Sequence, residues 1–134
     1  MTDHLHVATH LHVATDAEPH LVGVVRHTVL TWLSAVRWPA GAAEELVFAI
    51  GEATSNCVEH AYRGLVAGRM TVDVTAVGDP PAMHVVVTDF GRWRPERTGG
   101  YGNGLALISA MMAWTRIETD EAGTRLTMCS SPFG

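Results

Sequence analysis

Apolar positions along this chain follow two rhythms, and the rhythms alternate in blocks. Leu21, Val24, Val25, Thr28, Val29, Trp32, Leu33 and Val36 recur three and four residues apart, which predicts an amphipathic helix over that stretch. Asp16 stands where an N-cap is expected, with Pro19 in the first turn. Arg37-Trp38-Pro39 ends the helix, because the residue before a proline is driven out of helical geometry. A second helix is predicted from about Gly41 to Arg63-Gly64, with Leu46, Val47, Ile50, Thr54, Cys57, Val58 and Ala61 on its apolar face. Period-two alternation then takes over. Arg69–Val77 and Met83–Asp89 read as a hairpin around Gly78-Asp79-Pro80-Pro81. A stretch rich in Gly and Arg, 90–104, leads into a short helix, Leu105–Met112. Two strands follow, Thr115–Thr119 and Thr124–Ser130. At the other end HLHVAT is written twice, at 4–9 and at 10–15. One copy suffices for an edge strand, so residues 1–9 read as a duplicated, frayed extension of it. The order of elements predicts an α+β fold, a two-layer α/β sandwich in which helices cover one face of a mixed, mostly antiparallel sheet.

Composition narrows the function classes. At 134 residues, 47% hydrophobic and 17% charged, the chain is expected to form one globular domain spanning 1–134. A net charge of −5 with no basic stripe argues against direct nucleic-acid binding. The nine basic side chains are all Arg. Without Lys there is no Walker A phosphate loop and no Schiff-base chemistry. Cys57 and Cys129 are too few and too far apart for a zinc site, and read as buried thiols. His4, His6, His10 and His12 invite a metal, but no nearby Cys or carboxylate completes a shell, which favours the edge-strand reading. With no signal-peptide pattern and no apolar run of membrane length, the expected location is the cytoplasm, with no membrane contact.

The second helix carries the candidate chemistry. On a helical wheel Glu52, Asn56, Glu59 and Arg63 fall within about 40° of Glu45. A carboxylate and a carboxamide one turn apart, as Glu52 and Asn56 are, can hold a hard cation and orient a nucleophile together. Downstream, Asp89 ends an apolar strand and is followed by Phe90-Gly91. A carboxylate beside a residue without a side chain can accept from an exocyclic amine while a flat ring approaches the backbone. Gly99, Gly100, Gly102 and Gly104 then crowd before a helix N-terminus, where backbone N–H groups meet phosphates. Gly123-Thr124 opens the last strand with a hydroxyl in reach of a bound ring. Each signal alone has a bland explanation in turn chemistry, loop flexibility or a solvated helix face. Their occurrence together and in this order does not.

In this arrangement the sequence resembles the GHKL (Bergerat-fold) ATPases, and within them the RsbW-type anti-sigma-factor serine/threonine kinases, over about residues 10–130. Glu52-Ala53-Thr54-Ser55-Asn56-Cys57-Val58-Glu59-His60-Ala61-Tyr62 is similar to the N box in its anti-sigma form, Asp89-Phe90-Gly91 to the G1 box and Gly102-Asn103-Gly104-Leu105 to the G2 box. The resemblance implies ATP with Mg²⁺. Glu52 would be the general base, Asn56 the Mg²⁺ ligand, and Asp89 and Gly91 the adenine end, supported by Thr124. Gly102, Gly104 and Leu105 would serve the phosphates, and Arg97, with Arg92 and Arg94 in the lid segment, the γ-phosphate. It also implies a serine of a STAS-type anti-anti-sigma protein as phosphoryl acceptor, a sigma factor as the sequestered partner, and a homodimer. Trp93 departs from the family where a second G1 glycine is expected. That departure, with the missing Lys, keeps a second expectation alive, a non-catalytic nucleotide-binding partner switch of the same fold. A histidine-kinase catalytic domain fits less well, because the N box ends in His-Ala-Tyr.

Overall fold

The computed structural model describes residues 10–61, 68–91 and 103–132. Among them the chain runs β1 (His10–Asp16), α1 (Pro19–Ala35), α2 (Ala40–Asn56), a π-helical turn (Cys57–Ala61), β2 (Arg69–Val77), β3 (Ala82–Asp89), α3 (Asn103–Met111), β4 (Trp114–Asp120) and β5 (Gly123–Cys129). The strands form one sheet in the order β1-β2-β3-β5-β4, and all four pairings are antiparallel. The α+β sandwich expected from the sequence is present, with no parallel pair in the described sheet.

Alternation in the strands builds the two faces. Leu11, Val13, Met70, Val72, Val74, Met83, Val85, Val87, Leu126 and Met128 turn inward against Val25, Val29 and Leu33 of α1, Leu46, Ile50 and Ala53 of α2, and Ile108 of α3. Burying one such Leu, Ile or Val side chain contributes about 1.5–3 kcal/mol, and this core holds the layers together. Helix α2 touches both α1 and α3, so the N-box segment runs through the middle of the helical layer. Where α1 crosses it the fit is close, since a Cβ on Gly51 would stand 2.9 Å from Arg26 Cδ. The other sheet face carries polar residues. On it His10 Nε2 and His12 Nδ1 lie 3.1 and 2.7 Å from the same Asp73 oxygen.

The second HLHVAT copy is the edge strand β1, paired with β2 from His10↔Thr75 to Asp16↔Arg69. The first copy, 4–9, lies outside the described residues. Asp16 is not the cap of α1. It is spent as the last residue of β1, and Glu18 takes the N-cap position with Pro19 at N1 and no side-chain cap bond. Nor is Pro39 what closes α1. Trp38 N–H donates to Leu33 O at 2.9 Å and Arg37 N–H to Ser34 O at 3.1 Å, with Arg37 at φ 64. This is a Schellman ending with arginine in the left-handed position that usually takes glycine. Val24, expected inside, is 54% exposed.

Candidate functional site

The last turn of α2 brings the chemistry-bearing residues to the carboxyl end of β3. Glu52 is half-buried, whereas Asn56 is buried at 5% exposure. The polar face expected from the helical wheel therefore divides. Glu45 and Glu59 are exposed, Asn56 is sealed in, and Arg63 lies outside the described residues. The wheel assumed α-helical phase throughout, but at Cys57 the helix widens into a π turn and the phase changes. The Cys57 N–H meets both Ala53 O and Thr54 O at this junction. Thr54, also buried, returns its hydroxyl to Ile50 O at 2.8 Å, so the helix interior is satisfied there. Asn56 is not. Its Nδ2 is buried and has no hydrogen-bond partner among the described residues. A buried amide left unmade costs about 1–3 kcal/mol, an amount that a ligand's arrival recovers.

Asp89, the last residue of β3, is 1% exposed. Its Oδ1 accepts the Gly91 N–H at 3.0 Å, which folds Asp89-Phe90-Gly91 into a tight turn at the strand end. The Cys57 thiol, 0% exposed, lies close to this carboxylate. Burial first, and the nearby Asp89 charge next, push the Cys57 pKa well up. Thr124, 2% exposed, sits opposite Asp89 in the β3–β5 register. Its hydroxyl lies 3.5 Å from Gly91 O and 3.4 Å from the Thr119 hydroxyl, both at the long end of hydrogen-bond range.

Beneath this turn Gly123 adopts φ +143, and a Cβ there would stand 2.1 Å from Asp89 O and 2.7 Å from Phe90 Cα. The β4–β5 hairpin that presents it is held by the Asp120 carboxylate, which accepts from Ala122 N–H at 2.8 Å and Gly123 N–H at 3.2 Å. A cavity of about 150 Å³ opens at this end of the sheet, lined by Asp89, Phe90, Gly123 and Thr124 together with Thr88, Glu118, Asp120, Ala122 and Arg125. Glu52 and Asn56 do not line it. A second cavity, of about 340 Å³, opens between α1 and the π turn, lined by Pro19, Val22, Gly23, Arg26, Ser55, Val58 and Glu59.

Of the residues singled out in the sequence, Asp89, Gly91 and Thr124 come together directly, and Asn56 joins them through its neighbour Cys57. Glu52 stands one turn back along α2. Gly104 lies in the first turn of α3, and Leu105 packs half-buried against the core. Gly102, Arg97, Arg92, Arg94 and Trp93 lie outside the described residues. Two contributors went unread in the sequence. Cys57 was taken for an inert buried thiol, and only its place directly after Asn56 hinted otherwise. Gly123 was noted merely as the start of a strand, although a glycine beside a turn is a signal of close backbone approach. Among the described residues no group of three or more His, Cys, Asp or Glu could hold a metal ion, His10, His12 and Asp73 included.

The model of the histidine kinase-like ATPase domain matches residues 15–130. This chain belongs to that family. The match takes in every element from α1 to β5, and with it the three boxes on which the GHKL resemblance rested. Among curated relatives of this histidine kinase-like ATPase domain, the serine-protein kinase RsbW of Bacillus licheniformis is 27% identical, with 87% of this chain and 82% of that protein covered. The RsbW of Bacillus subtilis strain 168 is 26% identical at the same coverage. Among solved structures, one of the RsbU and RsbW domains of a Mycobacterium tuberculosis protein superposes with a TM-score of 0.76 at 26% identity. That match covers 93% of this chain but only 33% of the other, so this domain spans a third of that longer protein's length. The domain is of the RsbW type within the GHKL superfamily. No helix among the described residues is long and apolar enough to cross a membrane.

Proposed function

We propose that residues 1–134 act as one ATP-binding domain that transfers the γ-phosphate to a serine of a STAS-type anti-anti-sigma protein and sequesters a sigma factor. The observation that carries this reading is the buried Asn56 carboxamide, whose Nδ2 has no partner among the described residues, one residue before Cys57, which lies close to Asp89. A carboxamide's two ends exchange by a half-turn about its last bond. The unmet end can therefore present oxygen to Mg²⁺, a donor set that suits a hard cation retaining its waters. Bound Mg²⁺ would supply positive charge to the ATP phosphates. Asp89 would accept from the adenine amine, with Gly91 leaving room for the ring and Thr124 supporting that end. Gly102, Gly104 and Leu105 would offer backbone donors to the phosphates, and Arg97 would approach the γ-phosphate. Glu52 would take the proton from the acceptor serine hydroxyl. The RsbW-type relatives, named as serine-protein kinases, support the transfer step. We further propose a homodimer in the cytoplasm, for which the edge of β1, unpaired among the described residues, is a candidate surface.

Titration with Mg-ATP, followed by phosphotransfer to candidate STAS proteins, tests the reading. Wild type is expected to bind ATP and label a serine, with Asn56→Ala losing binding and Glu52→Ala losing transfer. Binding without transfer to any partner would leave the partner-switch alternative standing and remove the kinase. Absence of ATP binding would remove both.

A further inference from the structure

β1 is the second copy of HLHVAT, and its side away from β2 is unpaired among the described residues. Such an edge offers a row of backbone N–H and C=O groups to any chain that can adopt the same pleat. Folded proteins usually block it with a bulge, a proline or a lysine or arginine. From His10 to Thr15 the strand has no Pro, Lys or Arg, and its register against β2 runs unbroken from His10↔Thr75 to Asp16↔Arg69. Its apolar side is unfinished as well, because Leu11 and Val13 pack against the core yet stay only half-buried. The first copy has the same strand pattern and little room in its own sheet. Beyond Thr75, β2 offers only Ala76 and Val77 before Gly78 turns the chain. Nor can residues 4–9 fold back along the free side of β1. A tight hairpin needs two or more turn residues of the Gly, Asn or Asp type. Thr9 instead runs directly into His10, and residues 4–15 contain no Gly, Asn, Asp or Pro.

We infer that residues 4–9 of a second copy of this chain add as a strand to the free side of β1, and that the contact is returned in kind, so that the repeat forms the interface between two protomers. This surface rests on the homodimer reading above and deepens it. A two-fold axis makes such a contact self-complementary, with residue i meeting j and j meeting i. In an antiparallel pair, facing residues lie on the same side of the sheet, so their numbers must be both even or both odd. An axis at Thr9 satisfies this. It sets Leu5 of one protomer opposite Val13 of its partner, and Val7 opposite Leu11. The apolar side that β1 leaves half-covered is closed by the same kinds of side chain. On the solvent side His6 meets His12 and Ala8 meets His10. The repeat is what makes this arrangement available, since one copy cannot both fill its own sheet and cover its neighbour's.

Sedimentation equilibrium on the full chain and on a chain lacking residues 4–9 is the test. Deleting either copy yields the same sequence, in which β1 and its exit through Asp16 are kept. Wild type is expected to be a dimer across the micromolar range, and the one-copy chain a monomer that still unfolds cooperatively in urea. Val7→Asp should weaken the dimer by about tenfold or more, because it sets a carboxylate against Leu11. Cross-linking with glutathione disulfide places the axis. Thr9→Cys should join to its own copy, since facing Cα atoms of antiparallel strands stand about 4.5–5.5 Å apart, within disulfide reach. His12→Cys, about 20 Å from its copy along the strand, should not. Cys57 and Cys129 are buried and stay out of this reaction. A one-copy chain that dimerises as tightly as wild type, an unchanged affinity in Val7→Asp, or cross-linking at His12→Cys in place of Thr9→Cys overturns the strand addition and leaves the homodimer to another surface. A wild type that stays monomeric throughout removes both.

Discussion

Replacing Gly123 by alanine gives the most direct test of how the strand-end turn is built. Gly123 has φ +143, a conformation that L side chains rarely adopt, and a Cβ there would stand 2.1 Å from Asp89 O. To move from 2.1 Å to the 3.4 Å of ordinary contact, the Asp89-Phe90 backbone must retreat by about 1.3 Å. The nearest obstacles are backbone atoms, so no flexible side chain can swing aside. The strained φ alone costs about 1–3 kcal/mol. With the displaced β3–β5 ladder beside it, the total loss should be about 2–4 kcal/mol. Nucleotide affinity should fall further than stability predicts, because hydrogen bonds occupy a window only about 0.5 Å wide and Asp89 moves by more than that. Urea unfolding and ATP calorimetry on the same preparation measure the two effects. Gly23 and Gly41 serve as internal controls, because a Cβ at either meets nothing within 4 Å. Both lie in helices, where Ala should stabilise by about 0.5–1 kcal/mol. If Gly123→Ala unfolds within about 0.5 kcal/mol of wild type, the close approach of this hairpin to the Asp89 turn is wrong.

Other expectations follow from the same structure. Ile50→Ala should destabilise by about 2–5 kcal/mol in urea, since Ile50 is fully buried in the middle of the helical layer. Asn56→Leu should cost little stability or raise it while abolishing Mg-ATP binding, because the buried Nδ2 it removes has no partner among the described residues; a large loss of stability would mean that the amide has a structural partner. For pH, the unfolded Cys57 thiol ionises near pH 9.0, whereas burial in the folded protein holds it protonated to higher pH. Stability from this group is thus level below about pH 9 and declines as pH rises above it. Cys57→Ala should flatten that decline in pH-resolved unfolding.

Strand limits and the helical layer were legible because their signals are local. The predicted β2, Arg69–Val77, matches the observed strand residue for residue, and β3, β4 and β5 differ by a residue or so at their ends. What stayed hidden depends on segments that meet only in the folded chain. A helical wheel groups Asn56 with Glu45 and Glu59 on one polar face, but it cannot foresee that the end of α2 packs Asn56 to 5% exposure while those two carboxylates stay in solvent. Nor does any spacing rule join Cys57 to Asp89, 32 positions away, or Gly123 to the backbone of Asp89. The motif Asp89-Phe90-Gly91 announced a turn, but the residues packed against it come from the neighbouring strand β5, more than 30 positions on in the chain.

The duplicated HLHVAT gives β1 an uncommon freedom in how the chain length can vary. The repeat is six residues long, and six is even, so sliding β1 by one whole copy keeps every side chain on its original side of the sheet. An odd-length insertion would have turned Leu11 and Val13 out of the core and His10 and His12 into it. What selects the second copy is its junction. Asp16 continues it to meet Arg69, with Oδ1 and Nη1 3.5 Å apart, and Ala17 N–H then donates to Gly68 O at 2.7 Å before α1 begins. The first copy repeats the strand but not that exit. Gain or loss of one copy is therefore a silent edit to the sheet, a length polymorphism that this edge can absorb without rewriting the core.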